Sequence, residues 1–511
     1  MRVRNLITFL LLMLVVASPV RAQIHTVTFS TSDPGVSAAI PYWGLDTSWP
    51  SADNMRRGLI FMGSENVNVV RMPFTVDAPL VDGDIPDAQK ARLQQSIDLA
   101  AMAGPDAMWY LSPGTSVDPW YRSGTNRVYP DRWAAAMAAC QQYYNRPMWM
   151  AEPFNEPDYL PWNMGSRQDL SDIMDLLETL PNFADTFPAG ASTLSTDQAA
   201  PWYDALGGRA AVGTTHALYG SVSNYVSFIQ HVTATNGIPF NPEVHSLAEV
   251  IIGANYGLQG AIWWGTAERA RGDFVNASQG QQLGYADDWT NWSAATVYRA
   301  PDGTVQAFLG CGERIGLPTT YTFHCADRDV FFDGDGPRRD YTVTIGRGEE
   351  RVINITWGDD VQPVIGGRYA IINAKSGLAM EVRDASTSNG AILQQNDYSG
   401  ESHQLWDVSP LTNYGRDVSY FLMQNVNSAK YANLFAYSYA DGATIGQWDG
   451  PGYVNEHWYF EYAGNGYFYI RSRWSNKCVS VSGGAGAHIV QQTWAGTPDQ
   501  LWQLVPAGGG G

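Results

Sequence analysis

Cysteine is scarce, with four in 511 residues. Cys140 and Cys478 lie far apart, in what read as separate units. Cys311 and Cys325 flank a strand–turn–strand pattern, which leaves a disulfide between them open. No cysteine group has zinc spacing and no His/Asp cluster has ligand spacing, so neither a metal nor another cofactor is expected. Basic residues are scarce as well. With 31 Lys+Arg against 50 Asp+Glu the net charge is −19 at pH 7. Such a surface repels phosphate backbones and argues against nucleic acid as a partner. Long apolar runs are missing: no stretch reaches the ~18 residues a membrane helix needs, so no membrane insertion is expected. The one short run, residues 6–16, follows the basic Met1-Arg2-Val3-Arg4 and precedes Val20-Arg21-Ala22. That is the layout of a secretory signal peptide. Residues 1–22 are therefore expected to be a leader and the mature chain to be secreted or periplasmic. It exceeds the size at which one hydrophobic core stops growing, so two or three domains are expected. A monomer is expected.

What the chain has in excess is aromatic: 19 Trp and 27 Tyr. Aromatic faces pack on apolar surface, including the apolar faces of sugar rings. Core packing explains many of these residues, but poorly those set among Gly, Pro, Asn and Asp. Residues 36–280 alternate between strand and helix patterns. Strands are expected at 42–45, 66–71, 107–112, 147–154, 189–192, 210–214, 240–244 and 260–264. Helices are expected from Ser51 and at 88–103, 131–143, 170–180, 222–235 and 246–256. Eight strands alternating with helices predict a closed (β/α)8 barrel. Residues 281–358 alternate with period two and carry no helix pattern, which predicts a small β-sandwich; the strand-like 24–35 is expected to complete it. Residues 362–507 repeat threefold. Gln404-Leu405-Trp406, Glu456-His457-Trp458 and Gln500-Leu501-Trp502 close the three repeats. No repeat could bury its own apolar face, so the three are expected to pack about a pseudo-threefold axis. The fold class is thus multidomain: an α/β barrel with two all-β units.

Asn155-Glu156-Pro157, at the end of the fourth strand, resembles the motif of the retaining β-glycosidases with (β/α)8 barrels, clan A. The strand-plus-sandwich layout is most similar to family 30 within that clan. The resemblance implies that Glu156 is the general acid/base and that Asn155 binds the sugar. It implies a nucleophile at the end of the seventh strand, where Glu243 stands, with Glu249 as the rival carboxylate. It further implies substrate-site roles for Arg71, His216 and Tyr219, and for Trp263 or Trp264 after the eighth strand. Two carboxylates suit glycosidic cleavage, since one attacks the anomeric carbon while the other protonates the leaving oxygen. Glu156 is expected to have the higher pKa of the two, raised by burial and by its neighbour's charge. Glu152, on the same strand face, could tune it. Pro242 is atypical before such a glutamate. Trp43, Trp49, Trp109, Trp120 and Trp162 sit in probable βα loops and are candidate sugar platforms.

The three Gln-x-Trp-like endings resemble ricin-type β-trefoil lectins, carbohydrate-binding module family 13. That resemblance implies a sugar site in the first repeat, built from Glu381, Asn396 or Tyr398, and Gln404. In the second repeat Phe435 stands where the acid is expected, and in the third Ser480. The expected function is a retaining β-glycoside hydrolase acting on a polysaccharide or oligosaccharide of galactan, xylan or glucan type, targeted by its trefoil. A transglycosylase on the same scaffold and a non-catalytic carbohydrate-binding protein are the alternatives.

Overall fold

The computed structural model describes residues 24–48, 51–209, 211–412 and 414–508. The leader expected over residues 1–22 and the platform candidate Trp49 lie outside them. Eight parallel strands close a barrel: Tyr42–Asp46, Val69–Val76, Met108–Val117, Met150–Ala151, Phe187–Ser195, Val212–Tyr219, Ile238–Val244 and Gly260–Trp263. Each pairs with the next in sequence, and the eighth pairs with the first. Alternation along the strands sends one set of side chains inward. Val69, Tyr110, Met150, Ala189, Val212, Phe240 and Ile262 fill the interior as one buried cluster. Gly260 makes room for this plug, since a Cβ there would lie 2.0 Å from the Phe240 ring. Two helices lack the sequence signals used above. Thr196–Asp204 carries Pro201 inside it, and Arg269–Ser278 has no side-chain cap of its own.

The β-sandwich faces a six-stranded sheet with a three-stranded one. The strand Ile24–Phe29 joins the smaller sheet, running parallel to Thr319–Cys325. Val27, Phe29, Val297, Leu309, Phe323 and Ile353 are among the side chains buried between the sheets. Cys311 and Cys325 are both free thiols, so the disulfide left open by their spacing is not formed. The reason is geometric. Cys311 donates to the carbonyl of Leu317 at 3.2 Å, beside the start of the strand Thr319–Cys325, and Cys325 ends that strand. Seven residues of strand separate the thiols by roughly 20 Å, far beyond disulfide reach.

The C-terminal unit is a β-trefoil whose three repeats are equivalent in detail. Trp406, Trp458 and Trp502 are fully buried, and their indole nitrogens donate to the carbonyls of Met380, Ala432 and Val479 at 3.1, 3.0 and 2.9 Å. Ser376, Ser428 and Ser475 donate in the same way to Gln395, Gln447 and Gln491 at 2.7, 2.6 and 2.6 Å.

The trefoil is clamped to the rest of the chain by the segment 416–420. Glu350 of the sandwich donates its amide to the carbonyl of Arg416 at 2.8 Å and accepts from Val418 at 3.0 Å. Asp417 accepts the amide of Ala270 at 2.7 Å, and the Tyr420 hydroxyl accepts that of Arg269 at 3.0 Å. These are the free amides of the first turn of Arg269–Ser278, so another domain caps this helix. Glu268, just before it, is buried between Arg57 of the barrel and Arg473 of the trefoil. Burial works against its charge, but the two guanidiniums win and hold it at about 2.

Candidate active site

The C-terminal ends of the barrel strands bring the sequence's carboxylates together. Glu156 follows the fourth strand, its amide donating to Ser192 of the fifth strand at 2.7 Å. Asp158 pins the same loop by accepting the amides of Leu194 and Ser195 at 2.7 and 2.9 Å. Glu156 itself sits at φ +50°, a left-handed conformation that costs a bulky residue energy and is found where the fold over-determines it. Glu243 closes the seventh strand from within a bulge, between Asn241 and Val244, where pairing with the eighth strand shifts register. Pro242 lies in that bulge, a place where a strand tolerates a missing amide. Its atypical position before the glutamate thus has a structural reason. Both glutamates are 7% exposed.

Around them lies a fixed array of donors. Arg71, on the second strand, is 2.8 Å from Glu243 and 3.0 Å from Asp46. Its other nitrogen donates to Ser112 at 3.2 Å and to the side-chain oxygen of Asn155. His216 Nδ1, on the sixth strand, lies between the carboxylates, 3.0 Å from Glu156 and 3.6 Å from Glu243. One ligand atom from each of these three residues falls within 4.8 Å of the other two. Among the described residues no other trio of His, Cys, Asp and Glu is so placed. Arg71 already supplies the positive charge that a cation there would bring.

His245, Glu313 and Arg416 were not singled out by sequence. His245 Nε2 is 3.2 Å from Glu243, and its Nδ1 is 3.0 Å from Glu313 of the sandwich. Trp264 stacks on His245 at 5.6 Å and 23°. Arg416 of the trefoil pairs with Glu313 at 2.8 Å. His245 and Glu313 are 68 residues apart and carry no shared local motif.

Electrostatics separates the two glutamates less than the sequence suggests. Burial pushes Glu243 up, but His216, His245 and Arg71 overcome it and hold the carboxyl far below its ordinary range. Burial also pushes Glu156 up, yet its net shift is downward. The hydrogen bond and charge of His216 decide it, helped by the Trp162 indole donating at 2.8 Å. The expected rise at Glu156 is therefore reversed. Glu152 is no part of this: it accepts from Tyr110, from Ser192 and, at 3.1 Å, from Thr214 inside the barrel. Glu249, the rival nucleophile, accepts from the amide of His245 at 3.1 Å and from Ser246 at 2.9 Å. It is spent on the start of its own helix, where burial pushes it up to about 7.

The aromatic candidates divide by strand parity. Tyr110 and Ile262 face the interior, so Trp109 and Trp263 face the helices. Trp109 packs on Tyr144 and lies under Arg146, and Trp263 stacks on Trp43. Neither Trp109 nor Trp263 reaches the mouth, which corrects their expected role. Trp43 is buried with Trp263 and is likewise no platform. Trp264 and Trp162 do touch site residues. Trp120 is 36% exposed on the loop after the third strand, its ring held by Arg132 and Tyr121. Tyr219 is 47% exposed at the end of the sixth strand.

In the trefoil's first repeat Glu381 accepts from Gln394 and Gln404 at 2.8 Å each and from Asn396 at 3.3 Å, with His403 at 3.4 Å. It lines a cleft of about 430 Å³ with Asp384, Asn396, Asp397 and His403. Gln404 also braces the loop at Asp397 and Ser399, and Tyr398, 46% exposed, is not in the cleft lining. Strand register corrects the second repeat: Glu381 pairs with Gln394 as Asn433 pairs with Gly446 and Ser480 with Val490. Asn433, not Phe435, thus stands at the acid's position.

Residues 356–448 and 454–511 match the family model of the ricin-type β-trefoil lectin domain-like proteins. The C-terminal unit has the trefoil fold of that family. No curated protein matches the chain. Among solved structures, the designed threefold-symmetric protein ThreeFoil is 32% identical over 27% of this chain and 98% of its own, with a TM-score of 0.26. An exo-β-1,3-galactanase from Clostridium thermocellum is 19% identical over 43% of this chain and 56% of its own, at TM-score 0.26. A family GH30 endoxylanase from Clostridium papyrosolvens is 13% identical over 65% of this chain and 99% of its own, at TM-score 0.43.

Proposed function

We propose that the protein is a retaining β-glycoside hydrolase acting on a neutral polysaccharide or oligosaccharide of galactan, xylan or glucan type, held to its glycan by the trefoil. The observation that carries this reading is the pair Glu156 and Glu243 at the barrel mouth, with carboxylate oxygens within 4.8 Å of each other and of His216 Nδ1. Retaining enzymes need their carboxyl groups about 5–5.5 Å apart; a wider gap of ~6.5–9.5 Å would leave room for an inverting water. Glu243, held ionised by Arg71, His245 and His216, attacks the anomeric carbon as the glycosidic C–O bond breaks. The leaving oxygen takes a proton from Glu156. Water then gives its proton to Glu156 and its oxygen to the anomeric carbon, and Glu243 is released. Arg71 and Asn155 hold the nucleophile side of the site. The negative surface suits a neutral glycan.

The test is a panel of β-linked glycans, read by reducing ends, product size and the anomer first released. The protein should cleave at least one with retention, and Glu156→Gln should lower kcat by on the order of 10²- to 10⁴-fold. Cleavage that survives in Glu156→Gln would remove the acid/base assignment and this reading with it.

For the trefoil, Glu381 in the first-repeat cleft is the expected sugar acceptor. Glu381→Gln should weaken pull-down of the full chain on its polysaccharide by roughly tenfold, the scale of a lost hydrogen bond to a charged group. Unchanged retention would place glycan binding elsewhere.

A further inference from the structure

We propose that Arg416, a trefoil residue, is a positioning residue of the barrel's catalytic centre: through Glu313 it fixes the His245 imidazole that donates to Glu243. This rests on the hydrolase reading for its effect on catalysis, but not for the contacts themselves. The chain is continuous and each link has good geometry. Arg416 Nη2 lies 2.8 Å from Glu313 Oε1, Glu313 Oε2 lies 3.0 Å from His245 Nδ1, and His245 Nε2 lies 3.2 Å from Glu243 Oε1. Arg416 makes a second contact, donating from Nη1 to the His245 carbonyl at 3.0 Å. That carbonyl also accepts from Arg271 at 2.7 Å, so two guanidiniums grip the backbone that carries the imidazole.

The links fall in three different units, which is what makes them informative. Glu243 and His245 come from the barrel, Glu313 from the sandwich and Arg416 from the trefoil. A trefoil that merely tethered the enzyme to glycan would need no side chain here. Instead the backbone at 416–418 is bonded to Glu350 on both sides, and Asp417 and Tyr420 cap a barrel helix. The guanidinium is therefore held at a fixed place relative to the mouth. It borders a cleft of about 260 Å³ that also touches Trp264, Thr266, Glu268 and Arg473. Trp264 stacks on the His245 ring, leaving the imidazole few alternative orientations.

The charges around His245 show what Arg416 contributes. Facing the ring are Glu243 and Glu313; Glu249, from the following helix, accepts the His245 amide, and Arg271 and Arg416 meet the His245 carbonyl. Glu313 is 34% exposed and without its partner would be free to turn to water. Arg416 keeps it on the imidazole, so the Nε2 proton stays directed at Glu243.

The experiment compares the full-length wild type with Arg416→Gln and Glu313→Gln, and with Arg368→Gln as a control for a trefoil arginine in an exposed pair with Asp407. Two readouts are taken: the titration of His245 by NMR on histidine-labelled protein, and kcat and KM on whichever glycan the wild type cleaves. Glu313→Gln should lower the His245 midpoint, because an anionic acceptor is lost, and Arg416→Gln should lower it in the same direction, because the unheld Glu313 turns away from the imidazole. Both should reduce kcat by roughly tenfold to 100-fold with little change in KM, and Arg416→Lys should recover part of it. A His245 titration and a kcat at wild-type values in Arg416→Gln would overturn the proposal. If the wild type cleaves no glycan, the hydrolase reading fails, while the His245 midpoints still decide whether Arg416 governs the imidazole.

Discussion

Glu243→Ala is expected to abolish glycan hydrolysis, with kcat lowered by at least roughly 10⁴-fold, the scale seen when a covalent nucleophile is removed. The side chain is 7% exposed and three positive or donating groups converge on it: Arg71 at 2.8 Å, His245 at 3.2 Å and His216 at 3.6 Å. Neither Glu249 nor Glu152 can substitute, because Glu249 is bonded to Ser246 and the His245 amide, and Glu152 is enclosed within the barrel. The alanine leaves a small space facing Arg71, His216 and His245, which should admit a small anion. Added azide should therefore restore cleavage of an activated substrate and yield a glycosyl azide of inverted anomeric configuration, since only one displacement remains. Rescue with retained configuration, or a kcat within tenfold of wild type, would mean that Glu243 is not the nucleophile.

The same site sets a pH dependence whose sign follows from the two carboxyls. The productive form has Glu243 ionised and Glu156 protonated. Glu243 is held far down by its cationic neighbours, so it stays ionised well into acid. Glu156 is also shifted down, by His216 and Trp162 against its burial. Its proton is then lost at lower pH than a raised carboxyl would lose it. The kcat/KM profile should peak on the acid side and fall as pH rises toward neutrality. Replacing Trp162 by Phe removes one donor to the Glu156 carboxylate, so the falling limb should move to higher pH.

The barrel was legible because its signals are local and repeated. Eight apolar strand patterns alternate with helices, and Asn155-Glu156 follows the fourth. The misses have physical causes. Trp109 and Trp263 stand one residue from positions that face the interior, so a shift of one along a strand turns each from the mouth to the helices. The helix Thr196–Asp204 hides behind Pro201, and Arg269–Ser278 takes its cap from Asp417, a residue 147 positions on. Glu156's downward shift depends on His216, 60 residues away, which no spacing argument places at 3.0 Å. In the trefoil the repeated tryptophans were legible as core, but the acid's partner in the second repeat needed the strand register, which puts Asn433 beside Gly446. What sequence reads poorly here is contact between units: Glu313 and Arg416 carry no motif, and only the docked domains bring them to His245.

Arg71→Met should be the most damaging single change to the stability of the barrel, costing about 3–5 kcal/mol, the range for removing one partner of a buried ion pair. Arg71 is 2% exposed and holds four groups at once: Asp46, Glu243, Ser112 and Asn155. Methionine fills much of the volume but leaves Asp46 and Glu243 buried, close together and without their shared cation. Asp46, which burial already raises in the wild type, would rise further without its cation, so the folded variant takes up protons there and grows less stable as pH rises. Glu243 carries the opposite sign in the wild type. Glu243 lies below its unfolded value, and its contribution is present above about pH 4.3 and fades as pH falls further. The gap between wild type and variant in denaturant unfolding should accordingly be widest near neutral pH and narrow in acid. Arg71→Lys, which keeps the charge but cannot reach both carboxylates and Asn155 with one rigid fork, should lose less stability and still most of its activity. A gap that stays constant with pH would show that Arg71 acts through packing and not through the two carboxylates it joins.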